Sequence, residues 1–270
     1  MMDDFYDFQI VDLKRARSTA KEKIRYIRKF LRAVKKNPLK ISREDVRSYL
    51  KGLSSVGAAT YSNTLKSLKV FFRDFMQRPV VVATFKFPQE MFKPKVIPSK
   101  KDLQRFYKAV ESAKEKALFL IYASSGLRRS EVLKLKRENV DFALRKIIPQ
   151  NSENETKHTW VSFYNLEAEE VLKEYLSEKK ASRSERIFPM ARKDEKELWR
   201  SARERTSLQI TPKVLREWFC DEMGRLGVAD RYVDAFCGRT PRTILAKHYT
   251  DFSPGKLKVI YDKANLKVLS

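Results

Sequence analysis

Residues 117–133 read Ala-Leu-Phe-Leu-Ile-Tyr-Ala-Ser-Ser-Gly-Leu-Arg-Arg-Ser-Glu-Val-Leu. The run Ala117 to Ala123 is almost wholly apolar, which predicts a buried helix. Gly126 fits its C-terminal cap, because glycine accepts the left-handed backbone found there. A further helix is expected from about Ser130. Arg128 and Glu131 stand three residues apart at that point, close enough to pair on a helix surface.

Upstream, Ser99 with Asp102 predicts a capped helix whose apolar face is Leu103, Phe106, Tyr107 and Val110. Downstream, the strand signal is confined to Arg145–Pro149 and Thr156–Phe163. The polar stretch Gln150–Glu155 between them makes the pair a β-hairpin. Helices are expected over about 166–180, 193–207, 212–224, 229–237, 241–248 and 254–263. Pro79, Pro88, Pro94 and Pro98 disfavour a continuous helix over 78–98, which reads as a linker. Before it, Ser42 with Asp45 caps a short helix through Leu50. A helix from about Ala58 to Gln77 carries Leu65, Leu68, Phe71, Phe72 and Phe75 on its apolar side. The fold expected is mainly α: a small helical domain over 1–77, and a larger domain over 99–270 with one hairpin.

The 270 residues carry 58 Lys and Arg against 34 Asp and Glu, a net charge of +24. That balance points to a polyanion, with nucleic acid ahead of an anionic membrane surface. Lys14 to Lys36 is the densest stretch, with eleven basic residues and the single acid Glu22. Ile24, Ile27, Leu31 and Val34 form one apolar stripe there, and the cations fill the other faces. With almost no acids to balance them, Lys14, Arg15, Arg17, Lys21, Arg25, Arg28, Lys29 and Arg32 are candidate phosphate contacts on double-stranded DNA.

No apolar run approaches the roughly 20 residues of a membrane span. Met1 to Ile10 holds Asp3, Asp4 and Asp7 and no base, unlike a secretory signal. Cys220 and Cys237 cannot make a disulfide framework, and His158 and His248 lie near no cysteine pair that would build a zinc site. A cytoplasmic, nucleoid-associated protein without metal or cofactor is expected.

Two sites share one local grammar. Thr211-Pro212 precedes Lys213-Val214-Leu215-Arg216, and Thr240-Pro241 precedes Arg242 to His248. Threonine is a good N-cap and proline suits the first helical position. Lys213 and Arg216 share a face at a helix start, where unpaired amides and the dipole suit an anion.

Ser125 to Leu133 resembles the first arginine box of tyrosine recombinases, the lambda-type integrase family. Ile210 to Arg216 resembles the second box, usually His-x-x-Arg after Thr-Pro. Gly238-Arg239 stands where that family usually has Gly-His, and Tyr249 follows at about the nucleophile's interval. The hairpin lies where the family keeps its catalytic lysine. Lys213 and Arg239 in place of histidines look like the variant in integrases of archaeal spindle-shaped viruses and related plasmids. The resemblance covers the whole chain. It makes residues 1–77 a core-binding domain, and 99–270 a catalytic domain with a C-terminal tail helix.

The resemblance implies site-specific cutting and rejoining of DNA through a 3′-phosphotyrosine, for integration or excision of a mobile element. Tyr249 would be the nucleophile; Tyr232 and Tyr261 have the wrong interval. Arg128 and Arg216 would hold the non-bridging oxygens through planar forks. Arg239 and Lys213 would add donors and charge. Lys157 would protonate the leaving 5′-oxygen, with Lys146 as its rival. Glu131 would orient an arginine. His158 and His248 read as incidental. The family works as a homo-tetramer on recombining DNA, with a monomer in solution compatible, and its tail often docks on a neighbouring protomer. The alternatives are a DNA-binding protein that has kept the fold without the chemistry, and a type IB-like topoisomerase.

Overall fold

A computed structural model describes the chain except residues 54, 56, 90, 91, 151–158, 179–184 and 242, and the side chains of 192 and 196. It divides into two compact units, the first ending at Pro94 and the second beginning at Lys95. Both are mainly helical, as expected.

The first unit opens with α1 (Met2–Val11), an element the sequence reading did not assign. Asp3 and Asp4 occupy its first turn, where acids suit the dipole, and Phe5 is fully buried. α2 (Arg17–Val34) buries Ile24, Ile27 and Phe30, and Lys35 ends it in the left-handed region at φ +52°. The expected stripe therefore gains Phe30, while Leu31 and Val34 sit half-exposed at its edge. α3 (Arg43–Lys51) starts at the Ser42–Asp45 capping box. α4 (Ala58–Lys69) does not run as one α-helix to Gln77. From Val70 to Phe75 the chain widens into a π-helical turn, which seats Phe71 and Phe72 in the core. Phe71 meets Phe5 edge-on at 5.0 Å, and Phe72 meets Phe30 in the same way at 5.9 Å. The stretch expected to link the domains begins inside this unit. Val81 and Val82 are buried in its core, and the Arg78 guanidinium donates to the carbonyls of Pro38 and Ile41.

In the second unit, the Ser99–Asp102 capping box starts α5 (Lys100–Lys108), and Ser112 caps α6 (Ala113–Ser125). Every residue of α6 from Ala117 to Ser125 is buried, so it is the helix around which the unit packs. Gly126 ends it at φ +64°. A Cβ there would lie 2.5 Å from the Phe219 ring and 3.1 Å from the Cys237 sulfur. α7 (Arg129–Lys134) follows at once. Among the described residues the sheet has three short antiparallel strands, one more than the expected hairpin: β1 (Val140–Asp141), β2 (Lys146–Ile147) and β3 (Ser162–Phe163). Val140 pairs with Ile147, and Ile147 with Ser162. The expected hairpin turn lies outside the described residues.

α8 (Leu166–Glu178), α9 (Arg192–Thr206), α10 (Pro212–Arg225) and α11 (Asp230–Phe236) follow, with α6 packed chiefly against α8 and α10. The helix expected from Pro241 instead starts later, as α12 (Ile244–His248). Its cap is Thr243, whose hydroxyl accepts the Ala246 amide at 3.1 Å. α13 (Pro254–Ala264) and the residues after it pack onto their own unit. The Tyr261 hydroxyl donates to the Ser124 carbonyl at 2.7 Å, and the Glu167 carboxylate accepts the amides of Val268, Leu269 and Ser270. Among the described residues, no helix is long and apolar enough to cross a membrane, and no group of three or more His, Cys, Asp or Glu could hold a metal.

Candidate active site

Arg128 occupies the N-cap position of α7, fixed there by the left-handed exit of α6 at Gly126. Its backbone amide donates to Glu131 Oε2 at 2.6 Å and its Nη1 to Glu131 Oε1 at 3.0 Å. The other end of the guanidinium, Nη2, donates to the Gly238 carbonyl at 3.0 Å. Arg216 comes from the first turns of α10, which Thr211 caps by accepting the Val214 amide. Its Nη2 donates to the Cys237 carbonyl at 2.7 Å, and its Nη1 lies 3.9 Å from Glu131 Oε2. One buried carboxylate and two consecutive carbonyls therefore hold both guanidiniums.

Glu131 is the hub. It is 8% exposed, and it also accepts the Thr159 amide at 3.0 Å and the Thr159 hydroxyl at 3.2 Å. Thr159 is fully buried and leads into β3, where Ser162 donates to the Ser125 carbonyl. Carboxylate, arginine box and sheet are thus tied together around the end of α6. Arg216 Nη1 is buried and donates no hydrogen bond among the described residues. Burial pulls the Arg216 guanidinium below its ordinary pKa, and the nearby Arg128 works the same way against the pull of Glu131. A buried guanidinium with an unspent donor suits an oxyanion that brings both charge and acceptors.

The remaining residues singled out by sequence sit farther out. Arg239 donates to Asp234 Oδ1 at 2.7 Å and from Nη2 to the Cys220 sulfur at 3.7 Å. The Lys213 side chain is 81% exposed, with Nζ 3.8 Å from Glu217. Tyr249 ends α12, is 77% exposed, and makes no side-chain hydrogen bond among the described residues. Ile244 and Leu245 beside it are also exposed. Lys157 and His158 lie outside the described residues. The structure joins Arg128, Glu131 and Arg216 by direct contacts, and leaves Lys213 and Tyr249 outside that cluster.

Sequence reasoning missed Thr159 and the carbonyls of Cys237 and Gly238. A main-chain acceptor has no residue signature, though the turn at Gly238 does mark where the chain doubles back at φ +56°. It also missed Glu195, a fully buried carboxylate on α9 that accepts from the Tyr122 hydroxyl and from Arg129 beside Arg128.

In the first unit, Lys14, Arg17, Lys21, Arg25, Arg28, Lys29 and Arg32 are exposed and Arg15 is half-buried. Lys21, Arg25, Arg28, Lys29 and Arg32 line an open groove of about 780 Å³ with Asp3 and Tyr6 of α1.

A transposon integrase (Tn1549), solved in complex with circular intermediate DNA, matches with 16% identity and a TM-score of 0.69, covering 96% of this chain and 98% of that one. A lambda integrase (75–356) dimer bound to a COC′ core site matches with 15% identity and a TM-score of 0.68, covering 97% and 94%. At these identities the likeness is one of fold. No curated protein matches the sequence. The model of the phage integrase N-terminal SAM-like domain matches residues 10–81, and that of the phage integrase family matches residues 98–255. With the matched region spanning both arginine boxes and the tyrosine, the chain belongs to the phage integrase, or tyrosine recombinase, family.

Proposed function

We propose that this chain is a site-specific recombinase that cuts and rejoins double-stranded DNA through a phosphotyrosine, to integrate or excise a mobile element. The observation that carries the reading is the pair of guanidiniums on Glu131 and two adjacent carbonyls, with Arg216 Nη1 buried and unspent.

A scissile phosphate seated on Arg128 and Arg216 gains negative charge on its non-bridging oxygens as the bond order changes. Donors already oriented for those oxygens lower the barrier without reorganising. The Tyr249 phenol gives its proton to water as its oxygen attacks phosphorus, the bond to the 5′-oxygen breaks, and Lys157 protonates that oxygen as it leaves. The 3′-phosphotyrosine then holds the strand until another 5′-hydroxyl attacks it and releases the tyrosine. Arg239 and Lys213 add positive charge at the rim. The cations around α2 supply sequence-independent affinity for the duplex. No metal or nucleotide enters these steps.

Bringing the exposed Tyr249 to the clamp is a task for the DNA-bound assembly, proposed as a homo-tetramer. Lys213 and Arg239, where the family more often has histidine, are the basis for proposing kinship with integrases of archaeal spindle-shaped viruses and plasmids.

A duplex nicked beside the cut site tests the reading, because the short 5′ piece diffuses away and traps the intermediate. A protein–DNA adduct stable to denaturant, absent with Tyr249→Phe, is expected. No adduct from the unaltered chain on any duplex would make it a DNA-binding protein only. Relaxation of one circle without exchange between two duplexes would make it a topoisomerase.

A further inference from the structure

Two cysteines meet directly behind the clamp. Cys220 lies on α10, one turn after Arg216, and Cys237 ends α11 just before Gly238. Their sulfurs are 3.4 Å apart. Cys237 is fully buried and Cys220 half-buried, with the Arg239 guanidinium reaching its sulfur. Neither thiol has a part in the strand-cutting chemistry above.

We propose that Cys220 and Cys237 are a redox-modification site that takes a small disulfide such as oxidised glutathione, and that closing the pair disarms the arginine clamp. The second half of the proposal rests on the reading of the clamp as the phosphate site.

The pair is asymmetric in the way a reacting dithiol needs. The hydrogen bond from Cys237, and then the guanidiniums of Arg239 and Arg216, pull the Cys220 thiol down to about 7 against its burial. The same contact and burial push Cys237 up. Cys220 is therefore the attacking thiolate. It attacks one sulfur of the small disulfide, whose S–S bond breaks and releases one small thiolate. The Cys237 thiol loses its proton to water and attacks Cys220 Sγ, expelling the second small thiolate. Two protein thiols are oxidised to one disulfide, and the small disulfide is reduced to two thiols.

Closure has a mechanical consequence. A disulfide requires the sulfurs to approach to about 2.05 Å, so roughly 1.3 Å must be made up. Cys220 sits within α10 beside the buried Phe219 ring, which is pressed against Gly126. The end of α11 is the freer partner, because Gly238 follows at φ +56°. The carbonyls that move with it are those of Cys237 and Gly238, which hold Arg216 and Arg128. A shift of about 1 Å at catalytic groups is enough to cost on the order of a hundredfold in rate.

The test equilibrates the full chain with reduced or oxidised glutathione. It reads intact mass, free thiols, the arginine side-chain NMR signals of the clamp, and adduct formation on the nicked duplex. The oxidised chain should be two hydrogen atoms lighter, with shifted Arg128 and Arg216 signals. Its adduct formation should be slower by about a hundredfold, and dithiothreitol should restore it. In Cys220→Ser the ratio of oxidised to reduced rates should stay near one, while Cys237→Ser should stop at the mixed disulfide and gain the mass of one glutathione. Persistence of both thiols would overturn the site. A disulfide that leaves the arginine signals and the rate unchanged would overturn the coupling, as would equal inhibition of Cys220→Ser. If the reduced chain forms no adduct at all, the recombinase reading fails, while mass and arginine signals still decide this proposal.

Discussion

The two units hold their cations in opposite ways. Around α2, seven of the eight candidate phosphate-binding residues stand exposed, and among the described residues Arg25 is the one that meets a carboxylate, that of Glu22 at 3.4 Å. In the second unit, Arg128 and Arg216 are mostly covered, and three of their guanidinium nitrogens are already bonded to Glu131, Gly238 and Cys237. Exposed, unopposed cations attract a polyanion from many angles and lose little when one is removed. Covered guanidiniums with fixed partners present their charge in one direction only. The first arrangement yields affinity, and the second yields geometry, at the expense of tolerance to change.

The sharpest break of this contrast is at the second unit. Tyr249→Phe removes the nucleophilic oxygen and should abolish the covalent adduct, with duplex affinity unchanged. Arg216→Ala should slow adduct formation by about 10²–10³-fold, the cost of losing one oriented donor to a developing oxyanion. Adduct formation on a nicked duplex and filter binding separate the two effects. If either variant instead lost duplex binding in parallel with cleavage, geometry and affinity would not be divided between the units.

Next in size is the scaffold behind the geometry. Gly126→Ala places a methyl 2.5 Å from the Phe219 ring at a left-handed φ. Overpacking costs about 1–3 kcal/mol, and the left-handed backbone about 1–2 kcal/mol more. Thermal unfolding should show this loss in the transition of the second unit. An unchanged melting temperature would mean that the turn carrying Arg128 is looser than its packing.

The features legible in sequence were the ones decided locally. Ser42, Ser99 and Thr211 cap helices through side chains that bond amides a few residues on, so residue type and spacing suffice. The apolar run of α6 and the paired strands β2 and β3 were readable for the same reason. α1 was not, because Asp3, Asp4 and Asp7 interrupt a face on which Phe5 is the one fully buried apolar residue. β1 has two residues and no pattern to read. At α12 the sequence offers two threonines three residues apart, and only the folded chain decides that Thr243 caps it. Within the site, the order of arginines and tyrosine was visible, but the acceptors that aim the arginines are backbone carbonyls and a distant threonine.

A smaller effect tests the diffuse side of the contrast. Neutralising Lys21, Arg25 and Arg28 together should weaken duplex binding alike on all sequences. The slope of log affinity against log salt should fall by about 0.9 for each phosphate that is no longer neutralised. Adduct formation at saturating DNA should be unaffected. A variant whose salt slope did not move would show that this face of α2 does not meet the duplex.

The smallest effect sits at Lys23, the one cation of α2 treated as those of the second unit are. It is half-buried, faced by Arg15 and Lys66 and opposed by Glu22 alone, and burial followed by the two like charges pulls it down to about 8. The unfolded chain keeps this proton up to its ordinary range, so between about 8 and 10.5 it binds more protons than the folded chain. Its contribution to stability must therefore rise with pH across that window, opposite to the usual lysine gaining a partner. A phosphate bound beside it favours the charged form, so duplex affinity should fall as pH passes through the same lower limit. Comparing the unaltered chain with Lys23→Met in urea unfolding and duplex binding isolates both slopes. If the two proteins showed the same slopes from pH 7 to 10, Lys23 would belong with its exposed neighbours, and the division between diffuse and directed charge would coincide with the division between the units.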